Sequence, residues 1–141
     1  MSVVVLIARI LYAMIFIGSG SAGHMMQTEG TAAYAESRGV PNSRLLTQLS
    51  GVLIFLGGLA IVLGVWIDIA ALGLAVYSLI TGIMVHHFWT DSDPEVQQME
   101  MSMFMKNLAI TGGGLAIFAL AATAGSELGL TLTGPIFSLN W

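Results

Sequence analysis

Three histidines are the residues of this 141-residue sequence whose side chains could carry chemistry. His24 follows one long apolar run, and His86 and His87 end another. Acidic side chains accompany them in the sequence, namely Asp91, Asp93 and Glu95. Imidazoles with carboxylates can bind a transition metal, and two imidazoles can ligate a haem. Neighbouring helical residues point about 100° apart, so His86 and His87 do not readily share one metal. We therefore expect no bound metal or haem.

Imidazole can also form hydrogen bonds and exchange a proton near neutral pH, as contact with a quinone headgroup requires. Candidates for such a pocket are the polar and aromatic residues at the same end of the apolar runs: His24, His86, His87, Trp89, Lys106 and Asn107. Lys106 either extends to the membrane surface or pairs with Glu100, Asp91 or Asp93. Asn107 and Thr111 are four apart and can hydrogen-bond across helices. The alternative is that the histidines simply lie at the membrane interface beside Trp89.

Four apolar runs must position these residues. Lys, Arg, Asp and Glu are absent from 10–28, 45–67, 69–90 and 107–126. Each run is about as long as the roughly 20 residues that a helix needs to cross a bilayer. In hydrocarbon, the backbone N–H and C=O groups of a segment must form hydrogen bonds with each other, so each run is predicted to be a helix. The sequence predicts an all-α polytopic membrane protein, an antiparallel four-helix transmembrane bundle forming one domain over 1–141, with helices at about 3–22, 45–66, 69–89 and 103–124.

Four crossings place both termini and the short turn at Asp68 on one side, named side A. The loops 24–44 and 90–102 then lie on the opposite side, named side B, and the first of them is expected to be partly helical. Basic residues near side B are Arg38, Arg44 and Lys106, against Arg9 alone near side A. The positive-inside rule favours a cytoplasmic side B and leaves the orientation open. The first run has no basic region ahead of it, which indicates a retained span and not a secretory signal.

Arg9 lies within the first span, where a charge is costly unless it pairs or reaches the headgroups. Asp68 is the nearest acid on side A, so we predict a structural ion pair between Arg9 and Asp68. The alternative is that Arg9 extends to the headgroups.

Small residues recur within the second and fourth spans, where they allow helix backbones to approach closely. They are Gly57, Gly58, Ala60, Gly64, Gly112, Gly113, Gly114 and Ala116. We expect helices of the bundle, of other membrane-protein subunits or of a second copy to dock there. The sequence has no cysteine, which excludes disulfides and thiolate metal sites. The net charge of −4, with no basic stripe, disfavours nucleic acid as a partner.

Several motifs make the sequence resemble the DoxX family of small four-helix membrane proteins along nearly its whole length. The most specific motif is Phe-x-Lys-Asn-Leu-Ala at 104–109, followed by glycines at 112–114. The others are Arg9, the small residues at 18–23, Gly39-Val40-Pro41, Gly57-Gly58-Leu59 and His86-His87-Phe88-Trp89. The sequence departs from the resemblance near Ile54, where many members carry a Glu.

The resemblance implies a bacterial multi-pass protein of the inner (cytoplasmic) membrane, in a family associated with membrane redox systems. We expect an accessory subunit of a larger redox or respiratory complex, not catalytic alone, surrounded by lipid and other subunits or a second copy. The alternative is a quinone-linked redox subunit with a headgroup pocket near His86 and Lys106, which makes a quinone the candidate cofactor. A small-molecule transport component ranks third, because four short helices leave little room for alternating access.

Overall fold

A computed structural model describes residues 2–139, and every regular element within that range is helical. Five α-helices account for most of it: α1 (Ser2–Gly18), α2 (Thr28–Ser37), α3 (Ser43–Leu63), α4 (Ile67–Val85) and α5 (Pro94–Ala124). A π-helical segment, Ser19–Met26, continues α1, and short 3₁₀ turns occupy Phe88–Thr90 and Gly125–Leu128. Residues 129–139 return along side A as an irregular tail.

Four helical stretches are long and apolar enough to cross a membrane. They are Val3–Met26, Ser43–Leu63, Ile67–Thr90 and Pro94–Leu128, which confirms the predicted four-helix membrane bundle. The fourth helix begins earlier than predicted, because Asp93 caps it by accepting hydrogen bonds from the amides of Glu95 and Val96. Pro94 occupies the first turn, where its missing N–H costs nothing.

The other helix bounds also differ by a few residues from those predicted. The first span continues to Met26 because its chain passes into the π-helical segment and does not stop near residue 22. The second span ends at Leu63, since Gly64 and Trp66 adopt positive φ values of 75° and 41° and form the turn to α4. The bundle core lies between these helices, and its buried members include Ala13, Phe16, Ile54, Ile61, Ala71 and Leu74.

The predicted ion pair between Arg9 and Asp68 is wrong. Arg9 is buried, and its guanidinium donates instead to the carbonyls of Ile61 at 2.8 Å, Val62 at 2.8 Å and Leu130 at 3.0 Å. The first two carbonyls lie in the last turn of α3, where helix geometry leaves them without amide partners. Arg9 therefore satisfies the end of α3 and holds the tail at the same time.

Asp68 also binds backbone and not Arg9. Its Oδ2 atom accepts from the amides of Ile136 at 2.8 Å and Phe137 at 2.6 Å. The carbonyl of Gly64 accepts from the amides of Leu132 and Thr133, both at 3.0 Å. Two buried charges and one turn thus fasten the irregular tail across the side A end of the bundle.

The predicted packing glycines differ in what surrounds them. Gly57 lies against Leu74, Gly58 against Ile17, and Gly64 against Thr131, so these positions pack within the chain. A Cβ at Gly114 would meet the Tyr12 hydroxyl, the Ala75 Cβ at 2.9 Å and the Ala71 carbonyl at 3.1 Å. Gly113 lies at ordinary distance from the Tyr12 ring.

Gly112 and Ala116 lie on the opposite face of α5, and both are exposed. A Cβ at Gly112 would meet no described atom within 4 Å. Tight packing within the bundle therefore depends on Gly114 and not on Gly112.

Replacement of Gly114 by Ala should lower the thermal unfolding midpoint in detergent, because overpacking a close helix contact costs about 1–3 kcal/mol. The matched variant, Gly112→Ala, should unfold at or slightly above the wild-type temperature, because its added methyl group meets open space and favours the helix. Equal destabilisation by the two substitutions would contradict this packing.

Candidate functional site

A cavity of about 410 Å³ lies among the side B halves of the four long helices. Its walls are largely apolar and include Phe16 from α1, Ile54 from α3 and Ile110 from α5. Polar side chains lie at a few points of the wall, among them His24, Thr47, Ser50, Tyr77, His86 and Asn107. Helix α2 closes the side B end with Thr31 and Tyr34. An apolar cavity with a few polar groups is typical of a site for a small organic ligand.

Part of the cavity lining on α3 and α4 is exposed at the surface of the bundle. Leu46, Ile80 and Met84 line the cavity and are also 43%, 50% and 44% exposed. All three belong to membrane-spanning stretches, so their exposed faces meet lipid. A ligand can therefore enter from the bilayer with its polar group leading and leave an apolar tail among the acyl chains.

Glu100 organises the polar part of the wall, although it was named in the sequence only as a possible partner of Lys106. Its carboxylate is buried, with 1% of the residue exposed. Tyr34 donates its hydroxyl proton to Oε1 at 2.5 Å, and Nδ1 of His86 lies 2.8 Å from Oε2. Burial raises the pKa of Tyr34, and the hydrogen bond to Glu100 raises it further, so Tyr34 remains a proton donor.

His86 acquires a defined tautomer from this contact. An ionised carboxylate can only accept hydrogen bonds, so Nδ1 of His86 carries the proton that it donates to Glu100. In the neutral imidazole, Nε2 then holds a lone pair. Nε2 has no hydrogen-bond partner among residues 2–139, and His86 lines the cavity. His86 therefore offers the cavity a hydrogen-bond acceptor that can also take up a proton.

His24 contributes a second imidazole from the π-helical segment. Its Nδ1 lies 3.1 Å from the Thr47 carbonyl and 3.0 Å from the Ser50 hydroxyl. A carbonyl oxygen only accepts, so Nδ1 of His24 is also protonated and Nε2 is again the free nitrogen. Gly51 permits this approach, since a Cβ there would lie 2.5 Å from the Cβ of His24.

His87 is not a cavity residue. Its Nδ1 accepts from Nη2 of Arg38 at 3.2 Å, because guanidinium only donates, and its Nε2 donates to the Arg38 carbonyl at 3.1 Å. Both ring nitrogens are thus occupied. Trp89 also lies away from the cavity, where it packs edge-to-face on Phe88 and Phe104. The structure therefore brings together His24, His86, Lys106 and Asn107, and it separates His87 and Trp89 from them.

Lys106 and Asn107 occupy different depths of the same wall. Lys106 is exposed at the rim and donates to the Met103 sulfur at 3.2 Å, and it forms no ion pair within the described range. Asn107 is buried and donates to the Met103 carbonyl at 3.0 Å. Thr111 makes the expected bond across helices, reaching the Ala75 carbonyl at 3.3 Å.

Glu100 and Tyr34 are the functional candidates that the sequence did not reveal. One signal was present: Glu100, Asn107, Gly114 and Ala121 recur every seven residues and form the buried face of α5. No comparable signal exists for Tyr34, whose contact with Glu100 joins residues 66 positions apart. Within 2–139, no three His, Asp and Glu side chains are grouped to hold a metal ion, and the expectation of no metal stays a prediction.

Arg38 and Asp91 fasten α2 over the cavity. Arg38 donates two hydrogen bonds to Asp91, at 2.8 and 3.1 Å, and Nε donates to the Val85 carbonyl at the end of α4 at 2.7 Å. The hydrogen bonds from Arg38 lower the pKa of Asp91 below its ordinary value of 3.8. The pair thus joins α2, which carries Tyr34, to the end of the helix that precedes His86.

Fold and site together define a four-span membrane protein with a lipid-accessible, histidine-lined cavity. The DoxX family model matches residues 4–87, more than half of the chain, and the chain belongs to the DoxX family.

Two relatives from Escherichia coli extend the match. The chain is 38% identical to inner membrane protein YqjF over 113 residues, 80% of each chain. It is 34% identical to inner membrane protein YphA over 128 residues, covering 91% of this chain and 88% of the relative. No solved structure matches the chain. These relatives and the four spans make this chain a multi-pass inner membrane protein.

The Arg38–Asp91 pair should make stability depend on acid pH. The folded-state pKa of Asp91 lies below 3.8, so the pair stabilises the fold above that value and stops doing so as the pH falls through the folded-state pKa. Asp91→Asn should unfold at a lower temperature than wild type at neutral pH, and the difference should shrink as the pH falls below 3.8. Thermal unfolding in detergent across this pH range measures it.

The matched control is Glu29→Gln, which removes a pair to Arg44 of the same 2.8 Å length between side chains that are 77% and 68% exposed. This substitution should leave the unfolding temperature nearly unchanged, because water screens exposed pairs. If Glu29→Gln and Asp91→Asn changed the unfolding temperature equally at every pH, a structural role for Arg38 and Asp91 would be contradicted.

Proposed function

We propose that this protein is a membrane subunit of a redox assembly and that it binds the headgroup of a lipid-soluble quinone in the side B cavity. The observation that carries the proposal is that His86 lines the cavity with its Nδ1 bound to Glu100 and its Nε2 without a hydrogen-bond partner among residues 2–139. A quinone headgroup needs a polar contact that can follow its proton exchange, and imidazole provides one. Its isoprenoid tail needs an apolar exit, which the exposed lining at Leu46, Ile80 and Met84 provides.

The size and lining of the cavity support the same ligand class. Ligand pockets usually measure about 300–1,000 Å³ and combine apolar walls with a few placed polar groups. The present cavity has about 410 Å³. The buried Glu100 can balance a positive charge on His86 when that imidazole takes up a proton, because the two side chains are 2.8 Å apart.

Electron exchange with the quinone requires a second redox centre. The sequence has no cysteine to hold an iron–sulfur cluster or to form a thiol couple. We therefore assign the electron-transfer partner to another subunit, and we assign headgroup binding and proton handling to this chain.

An accessory role without a ligand is the second candidate function. The exposed face of α5 at Gly112 and Ala116 favours it, because small residues there leave a flat surface that a partner helix can approach. The two candidates differ in one result: an accessory subunit would bind no quinone by itself.

Ligand titration tests the proposal. Purified protein in lipid nanodiscs should bind a short-chain ubiquinone or menaquinone analogue with saturable heat in isothermal titration calorimetry. His86→Ala should raise the dissociation constant by about tenfold or more, since it removes the polar contact and leaves Glu100 partly unsatisfied.

His87→Ala is the matched control, because it removes the neighbouring imidazole outside the cavity. Its dissociation constant should stay close to wild type, with circular dichroism confirming that both variants retain their helices. Unaltered affinity in His86→Ala would contradict the assigned site. Lack of binding to the wild-type protein would favour the accessory role.

A further inference from the structure

We propose that the cavity prefers the reduced hydroquinone form of its ligand to the oxidised quinone, an inference that rests on the proposed function. The two forms differ in their hydrogen-bonding groups. A quinone carbonyl oxygen only accepts hydrogen bonds, whereas a hydroquinone hydroxyl both donates and accepts. Where the wall presents an acceptor, a hydroxyl of the reduced form can donate to it, whereas a carbonyl of the oxidised form faces another acceptor.

His86 is such an acceptor because Glu100 holds its other nitrogen. The 2.8 Å contact fixes the proton on Nδ1, so neutral His86 can turn only the lone pair of Nε2 toward a ligand. A quinone carbonyl placed against that lone pair would face another acceptor. A hydroquinone hydroxyl placed there would donate a hydrogen bond to Nε2.

His24 repeats the arrangement on another element of the same cavity. The Thr47 carbonyl fixes its proton on Nδ1 at 3.1 Å, so Nε2 is again an acceptor. The two imidazoles reach this state through different partners, a side-chain carboxylate in one case and a backbone carbonyl in the other. The preference thus does not depend on one contact alone.

The donors at the cavity do not reverse this preference. Lys106 at the rim can donate to a ligand oxygen, and Asn107 deeper in the wall has one amide hydrogen beyond its bond to Met103. A hydroxyl oxygen accepts such a bond just as a carbonyl oxygen does. Donors therefore bind both forms of the ligand, and only the acceptors distinguish between them.

Glu100 acts in this account as a positioning residue, because it fixes the tautomer of His86 without requiring contact with the ligand. Glu100→Gln preserves the shape of the side chain but supplies an amide that can donate to Nδ1. His86 can then carry its proton on Nε2 and donate to a quinone carbonyl. The ratio of the two affinities should change, whereas a purely structural defect would weaken both forms together.

The test compares ubiquinone bearing one isoprenoid unit with its hydroquinone, under anaerobic conditions in nanodiscs at about pH 8. The wild-type protein should bind the hydroquinone about tenfold more tightly, which is the effect expected for one hydrogen bond replaced by an unpaired polar contact. In Glu100→Gln the ratio should approach one. In Lys106→Gln both forms should weaken by a similar factor and the ratio should persist.

Equal affinities in the wild-type protein, or tighter binding of the quinone, would overturn the preference and leave the proposed function standing. An unchanged ratio in Glu100→Gln, with the binding of both forms weakened, would overturn the role given to Glu100. Binding of neither form to the wild-type protein would overturn the proposed function, and the preference with it.

Discussion

A carboxylate buried inside the bundle must find its hydrogen-bond donors in the protein, because it is shielded from water there. Glu100 finds them in Tyr34 and His86, which come from the side B helix α2 and from the end of α4. The side B end of the bundle follows from this requirement. Helix α2 must lie over the cavity to deliver Tyr34, and Arg38 on the same segment then reaches Asp91 and the end of α4. The same contacts leave one nitrogen of His86 free.

Buried charges at the side A end also find hydrogen-bond partners in the protein, but these partners are backbone groups. Arg9 and Asp68 could have neutralised each other, yet each is surrounded by backbone groups that no other part of the chain satisfies. Carbonyls at the end of α3 and amides of the tail are also costly to leave unpaired. Pairing the charges with these backbone groups gives both sets hydrogen-bond partners and fastens the tail across the bundle. Side A is thus closed by polar contacts, whereas side B contains a cavity.

The sequence predicted the helices better than their contacts. Apolar runs identify spans because the thickness of hydrocarbon sets their length. Adjacent His86 and His87 could not be ranked, because both follow the end of α4 and the sequence does not show which groups surround each ring. Arg9 was matched with the nearest acid because the carbonyls that it contacts, two at the end of α3 and one in the irregular tail, carry no sequence signal. Glu100 and Tyr34 meet only after the long first loop folds onto side B.

The tautomers of the three histidines test the central claim most directly, because the cavity chemistry rests on which imidazole nitrogen carries the proton. Nitrogen-15 NMR of imidazole-labelled protein in bilayers at about pH 8 reports protonation at each nitrogen. The account predicts that His24 and His86 are protonated on Nδ1 and that His87 is protonated on Nε2. It also predicts that Glu100→Gln changes the signals of His86 and leaves the protonation of His24 as it was. A proton on Nε2 of His86 in the wild-type protein would contradict the account.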